Sequence, residues 1–140
     1  CALPILLPHK MGGESNEHKA LKLWVTQHPE EFEDVGDFPN GEDEKQISSG
    51  DRLDAYFEND EGLILAVEVK TSACSEEELK RGVFQVVKYR AVLRAMQKAE
   101  NKVPSAEAVL VSTRKPSAET KLLMKRLNVR FQTAPKSAEA

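Results

Sequence analysis

Two apolar stretches constrain the fold of this chain more than any other feature. Arg52-Leu-Asp-Ala-Tyr-Phe57 and Leu63-Ile-Leu-Ala-Val-Glu-Val-Lys70 are both rich in β-branched and aromatic residues, and Glu58-Asn-Asp-Glu-Gly62 joins them. Asn, Asp and Gly are the residues a tight turn needs, so the pair reads as a β-hairpin. The second strand is so apolar that both of its faces must be covered, which makes the ionisable Glu68 and Lys70 within it costly. Alternation places Glu68 and Lys70 on one face, ~7 Å apart, with Val67 and Val69 on the other. Asp54, between Leu53 and Ala55, is a carboxylate in an equally apolar setting, and hairpin pairing brings it near Glu68.

The remaining elements follow from periodicity and punctuation. Leu21, Trp24, Val25 and His28 fall at helical spacing after the Gly12-Gly13 hinge, predicting a helix over about 15–28 that Pro29 ends. Residues 30–49 are acidic and broken by Gly36, Pro39 and Gly41, so they read as loop with one weak strand near 45–47. Ser75 with Glu78 forms a capping box that opens a long helix to about Lys98. Glu107-Ala-Val-Leu-Val-Ser112 reads as a buried strand. A helix from 116–117 through Leu127 and a short strand over Val129-Arg-Phe131 complete the pattern. The order predicts an α/β domain with a mixed central sheet flanked by helices, the long helix serving as a crossover between parallel strands. Residues 1–11 read as a flexible leader or the remnant of a longer chain, 12–131 as the domain, and 132–140 as a disordered tail.

Composition excludes several classes. A chain of 140 residues supports one domain, and no apolar run reaches the length of a membrane-spanning helix. Two cysteines are too few for a zinc site and fit a reducing, cytoplasmic setting. Cys74 has no His near it in sequence, and His9, His18 and His28 lack metal-ligand spacing, so His18 and His28 read as surface or helix-end residues. No Gly-rich loop followed by Lys and Ser or Thr is present, which argues against ATP hydrolysis. The net charge of -3 conceals a division: eight acidic residues face one lysine between Glu30 and Gln46, whereas residues 79–131 hold thirteen basic and three acidic. Such a basic half is the footprint of a polyanion partner.

Asp54, Glu68 and Lys70 together suit phosphodiester hydrolysis. Paired carboxylates are what a hard divalent cation requires, and an ammonium beside them orients a nucleophile and stabilises developing negative charge. On the long helix Arg81, Gln85 and Tyr89 form one polar stripe at i, i+4 and i+8 that can overlook the site. On the first helix Glu17, one turn before Leu21, can lend a further carboxylate, with Glu14 as the alternative.

This ordered set resembles the PD-(D/E)xK nuclease superfamily, whose fold is that of restriction endonucleases. The resemblance runs from about Gly13 to Phe131. A helical Glu appears as Glu17 in Glu-His-Lys-Ala-Leu-Lys, the Asp as Asp54 in Ser-Gly-Asp-Arg-Leu-Asp-Ala-Tyr-Phe, and the doublet as Glu68-Val-Lys70. A Gln-x-x-x-Tyr element like that of the RecB-like branches appears as Gln85 and Tyr89, while Arg52-Leu53 stands where the name-giving Pro would be. The resemblance implies an αβββαβ core and a nuclease, acting on nucleic acid and most simply on DNA. It implies that Asp54, Glu68 and the Val69 carbonyl bind Mg²⁺ or Mn²⁺, that Lys70 positions the attacking water, and that Glu17 holds a metal-bound water or a second ion. Gln85 and Tyr89 would orient the site or the substrate strand, and Arg81 and Lys88 would contact phosphates. No reading head such as a helix-turn-helix is evident, so any sequence specificity would come from loops, a homodimer or a fused or associated domain. The alternative in another class is a noncatalytic nucleic-acid-binding or assembly module that retains the fold.

Overall fold

The computed structural model describes residues 14–140, so the expected leader over 1–11 and the Gly12-Gly13 hinge lie outside the described residues. Ser15 caps the first helix, α1 (Asn16–Thr26), by accepting a hydrogen bond from the His18 N–H. Pro29 then opens a single 3-10 turn, Pro29–Phe32, which ends the helical pattern as expected.

Five strands form one sheet in the order β1-β2-β3-β4-β5. β1 (Glu42–Gln46), β2 (Arg52–Glu58) and β3 (Ile64–Lys70) run antiparallel. Asn59 builds the β2–β3 turn: its side-chain oxygen accepts from the N–H groups of Glu61 and Leu63, and Gly62 takes a φ of 82° that a β-carbon would disfavour. The capping box at Ser75 and Glu78 starts α2 (Glu76–Ala99), which crosses over to β4 (Glu107–Ser112), parallel to β3. α3 (Ala118–Leu127), capped by Ser117, leads to β5 (Arg130–Thr133), parallel to β4. The αβββαβ core is therefore present, extended by one helix and one strand.

The sheet separates two cores. α1 packs on one side through Leu21 and Val25 against Phe57, Leu65, Val67 and Val69. α2 and α3 pack on the other through Leu79, Val83, Val86 and Met124 against Ala66 and Leu110. β3 and β4 are buried along nearly their whole length, which accounts for their unbroken apolar runs. Among the described residues no helix is long and apolar enough to cross a membrane.

Two expectations need correction. The weak strand lies at Glu42–Gln46 rather than 45–47; it is an exposed edge strand of charged residues, so it carries no apolar alternation to locate it. The tail expected to be disordered over 132–140 is ordered. Residues Arg130–Thr133 pair with β4, and a 3-10 turn over Lys136–Glu139 buries Ala138 in the α1-side core, as does Ala134 before it. The Glu139 carboxylate fixes this turn by accepting from the Ser72 N–H at 2.8 Å, from Ser72 Oγ at 3.0 Å and from the Thr113 hydroxyl. A tail of small residues gives no periodic signal, yet Ala134 and Ala138 are buried in the α1-side core.

Candidate active site

The β2–β3 ladder runs from Glu58↔Ile64 to Ala55↔Val67 and stops there. Beyond it β2 turns away. Leu53 shares the α2-side core with Tyr56, while Ala55 and Phe57 lie in the α1-side core, so strict alternation is lost across residues 53–55. The Asp54 side chain takes over from the broken ladder: its Oδ2 accepts from the Val69 N–H at 2.9 Å. The carboxylate is thereby fixed beside Glu68, on the same region of β3.

Glu68 is 7% exposed and points to the α2 side of the sheet, opposite to Val67 and Val69, as alternation requires. Burial pushes its carboxyl well above the usual range, and the neighbouring Asp54 pushes it further, against the opposing pull of Lys70. Burial also raises Asp54, with the Val69 N–H and His18 acting the other way. Two carboxyls facing each other out of water do not both ionise readily without a positive charge between them. Lys70 Nζ lies 3.6 Å from Glu68 Oε2. Gly82 on α2 leaves space for the lysine stem, since a β-carbon there would stand 3.2 Å from Lys70 Cε.

α2 brings its polar stripe to the same place. Tyr89 is 4% exposed, and burial followed by the charges of Glu68 and Asp54 holds its proton on the phenol. Among the described residues Gln85 Oε1 is buried without a hydrogen-bond partner, an acceptor on the helix that covers the site. Arg81 is exposed, one turn before Gln85. Lys88 is engaged with Asp51 at 3.0 Å, tying α2 to the turn between β1 and β2.

The helical carboxylate is where sequence reasoning went astray. Glu17 does not point to the packed face; it is exposed on the outside of α1. Glu14, named as the alternative, stands at the site: Oε2 is 2.5 Å from His18 Nδ1, and His18 Nε2 is 3.8 Å from Asp54 Oδ2. His18, read as a surface residue, instead bridges two carboxylates. Lys22, not singled out in the sequence, is buried and lies 2.9 Å from both Glu14 and Glu44. Burial alone would push the Lys22 ammonium down, but Glu44 and Glu14 outweigh it and keep it charged. The missed signal is the stripe Glu14, His18, Lys22 at i, i+4 and i+8, next to the apolar Leu21 and Val25. His28 is structural: it stacks on Trp24 with ring centroids 4.3 Å apart.

An open cleft of about 340 Å³ lies between the start of α1, the end of β3 and the start of α2, lined by Glu14, His18, Lys70, Thr71, Cys74 and Glu78 among others. Both helices direct their N-termini to this region, where backbone N–H groups and the helix dipole favour an anion. Burial pushes the Cys74 thiol up, against the pull of Arg114, and so disfavours the thiolate.

No protein-family model matches the chain, and no curated protein does. Solved structures do. EndoMS in complex with double-stranded DNA superposes with a TM-score of 0.59 at 16% identity, over 89% of this chain and 46% of that one. A repair endonuclease from Pyrococcus abyssi gives a TM-score of 0.56 at 17% identity, over 88% and 48%. The chain shares its fold with these endonucleases. It spans about half their length. An FdxN element excision controlling factor from Anabaena variabilis gives a TM-score of 0.56 at 21% identity, over 89% of this chain and 95% of that one. At these identities the likeness is one of fold.

Within this nuclease-like fold the donor set fits a hard cation. Asp54, Glu68 and the Val69 carbonyl are all oxygen donors, and Mg²⁺ takes one or two carboxylates with water completing its shell. Among the described residues no group of three or more His, Cys, Asp or Glu side chains is gathered to hold a metal ion, so a cation here would rest on the two carboxylates, with water and substrate oxygens completing its shell.

Proposed function

We propose that this chain is a metal-dependent nuclease that hydrolyses phosphodiester bonds, in DNA, with water as the nucleophile. The observation that carries the reading is the convergence of Asp54, Glu68 and Lys70 at the end of two strands whose ladder breaks to bring them together. The nuclease fold of the structural neighbours supports it, and EndoMS in complex with double-stranded DNA favours DNA as the polyanion.

Asp54, Glu68 and the Val69 carbonyl would hold Mg²⁺ or Mn²⁺, which lowers the pKa of water and neutralises phosphoryl charge when bound. Lys70, beside Glu68, orients the attacking water and stabilises charge developing on the phosphoryl oxygens. Tyr89, buried near Glu68 on the α2 side, and Gln85 would orient the site or the substrate strand. Glu14, through His18, holds the outer side of Asp54. Arg81 and Lys88 bind backbone phosphates. A homodimer or a fused or associated domain would supply the remainder of a full DNA-binding surface; the endonuclease neighbours are about twice as long as this chain.

The test is incubation of the purified protein with supercoiled, linear and single-stranded DNA and with RNA, with and without Mg²⁺ or Mn²⁺, beside Lys70→Ala. Cation-dependent cleavage lost in Lys70→Ala supports the reading; equal cleavage by both proteins points to a contaminant and defeats it. A second reading, a noncatalytic nucleic-acid-binding or assembly module that retains the fold, draws on the excision controlling factor, which the chain matches over nearly the whole length of both. DNA binding without cleavage under any cation would favour it.

A further inference from the structure

Lys22 is 3% exposed, an unusual position for a lysine, and the reaction outlined above gives it no task. A buried ammonium is retained only where it is paired, and Lys22 is paired twice, with Glu14 and Glu44 each at 2.9 Å. Glu44 carries a second irregularity. Its φ is 53°, in the left-handed region that β-carbons disfavour, although it lies within a strand. The register locates that strain: Asp43↔Ala55 and Lys45↔Leu53 flank it, so Glu44 stands across from Asp54. β1 and β2 therefore deform at the same rung, the one where the Asp54 side chain turns to the Val69 N–H. Arg52, 3.3 Å from Glu44, closes a small hollow lined by Glu14, Lys22, Glu44, Arg52 and Asp54.

We propose that Lys22 is a positioning residue of the candidate active site, pinning Glu14 at the rim of the cleft and Glu44 in its left-handed conformation, and through that rung setting the direction of the Asp54 carboxylate. The inference rests on the metal-dependent nuclease reading and deepens it. Removing the ammonium takes away the buried cation that joins Glu14 to Glu44, and leaves the exposed Arg52 as the cation facing three carboxylates around one hollow. The nearest outlet for their repulsion is rotation of Asp54 away from Glu68, and no contact with substrate is needed for the effect.

The experiment is titration of the full chain with Mn²⁺, followed by electron paramagnetic resonance of the unbound ion, for wild type, Lys22→Met, Lys22→Arg and Glu44→Gln. Lys22→Met is expected to weaken Mn²⁺ binding ~10-fold or more, the scale on which partners behind metal ligands act. Lys22→Arg, which keeps the charge, recovers most of that loss, and Glu44→Gln gives a smaller loss in the same direction. A merely structural role lowers the melting temperature while folded variants bind Mn²⁺ within twofold of wild type, and that result overturns the proposal. Should Lys22→Met fail to fold, Glu44→Gln decides by the same criterion, because the Glu44 side chain is 44% exposed and its loss leaves the core intact. Wild type that binds no Mn²⁺ defeats the nuclease reading and this inference with it, an outcome distinct from wild type that binds and variants that match it.

Discussion

Gly82 makes room for Lys70. A β-carbon at residue 82 would stand 3.2 Å from Lys70 Cε and 3.0 Å from Leu110 Cδ1. Glycine inside a helix costs roughly 0.5–1 kcal/mol relative to alanine, so its presence in the middle of α2 answers to the space above it. Gly82→Ala is expected to leave stability within about 1 kcal/mol of wild type, the helix gain being offset by crowding against the buried Leu110. On the proposed nuclease reading, cleavage is expected to fall about tenfold as the ammonium is displaced from its position beside Glu68. Thermal melts and single-turnover cleavage separate the two effects, and cleavage at the wild-type rate would remove Lys70 from the chemistry.

The Glu139 carboxylate ties the C-terminal turn to the segment that leaves β3, through Ser72, Thr113 and Lys136. Burial alone would raise this carboxyl; the Lys136 ammonium and the donors from Thr113 and Ser72 outweigh it and hold it at about 2. A depressed folded-state pKa contributes stability that is present above the unfolded value near 4.5 and is lost as pH falls through about 2. Glu139→Gln is expected to cost about 2–3 kcal/mol at pH 7. Its melting temperature converges on that of wild type between pH 4.5 and pH 2. A gap that stays constant over that range would show that the charge is not what the turn depends on.

Elements with strong local chemistry were legible in the sequence. The Asn59 to Gly62 turn, the capping box at Ser75 and Glu78, and the apolar runs of β3 and β4 each dictate their structure within a few residues. Glu68 and Lys70 could be placed on one face because alternation along β3 is a local rule, and the hairpin brought Asp54 near them, but the break in the ladder that aims Asp54 at the Val69 N–H was not legible. What could not be read depended on distant partners. Lys22 looks like a surface residue until Glu44, 22 positions away, is brought to it by the sheet. Glu139 gains its role from Ser72, 67 positions earlier. Glu14 and Glu17 differ by less than one helical turn, and only the entry of the chain into α1 decides which of them faces Asp54.

That last distinction is open to direct measurement. Glu14 is in contact with His18 and Lys22 at the cleft, whereas Glu17 is exposed. If the nuclease proposal holds, Glu14→Gln is expected to slow cleavage about tenfold or more, in line with loss of a partner behind the proposed metal ligands. Glu17→Gln is expected to cleave at the wild-type rate and melt within about 0.5 kcal/mol of it, as exposed substitutions do. The reverse order of rates would return the helical role to Glu17.

On the proposed nuclease reading, Glu68 sets stability against activity. Its carboxyl is buried beside Asp54, and burial together with that neighbour disfavours its charged form. Glu68→Gln keeps the shape and removes the repulsion, so in EDTA at neutral pH the variant is expected to be more stable by about 1 kcal/mol while cleavage is abolished. Melting with and without Mn²⁺ checks this: the cation should raise the melting temperature of wild type and leave that of the variant unmoved.

Lys88 reaches the expected phosphate-binding face already engaged with Asp51 at 3.0 Å, while Arg81 on the same helix is exposed. With its lysine side chain 57% exposed, the Lys88–Asp51 pair is screened by solvent and worth at most about 1 kcal/mol, so a phosphate can displace the carboxylate but must compete with it. The two residues should therefore respond differently to substitution. Arg81→Ala removes one phosphate contact, weakening DNA binding at every sequence and lowering the slope of log affinity against log salt by about 1. Asp51→Asn releases Lys88 and removes a negative charge from the rim, so it is expected to tighten binding severalfold at low salt, with the difference shrinking as salt screens it. Fluorescence anisotropy on a labelled duplex in a cation that does not support cleavage, measured across a salt series, reads both effects. Unchanged affinity in Asp51→Asn together with an unchanged slope in Arg81→Ala would place the DNA on another face of the molecule.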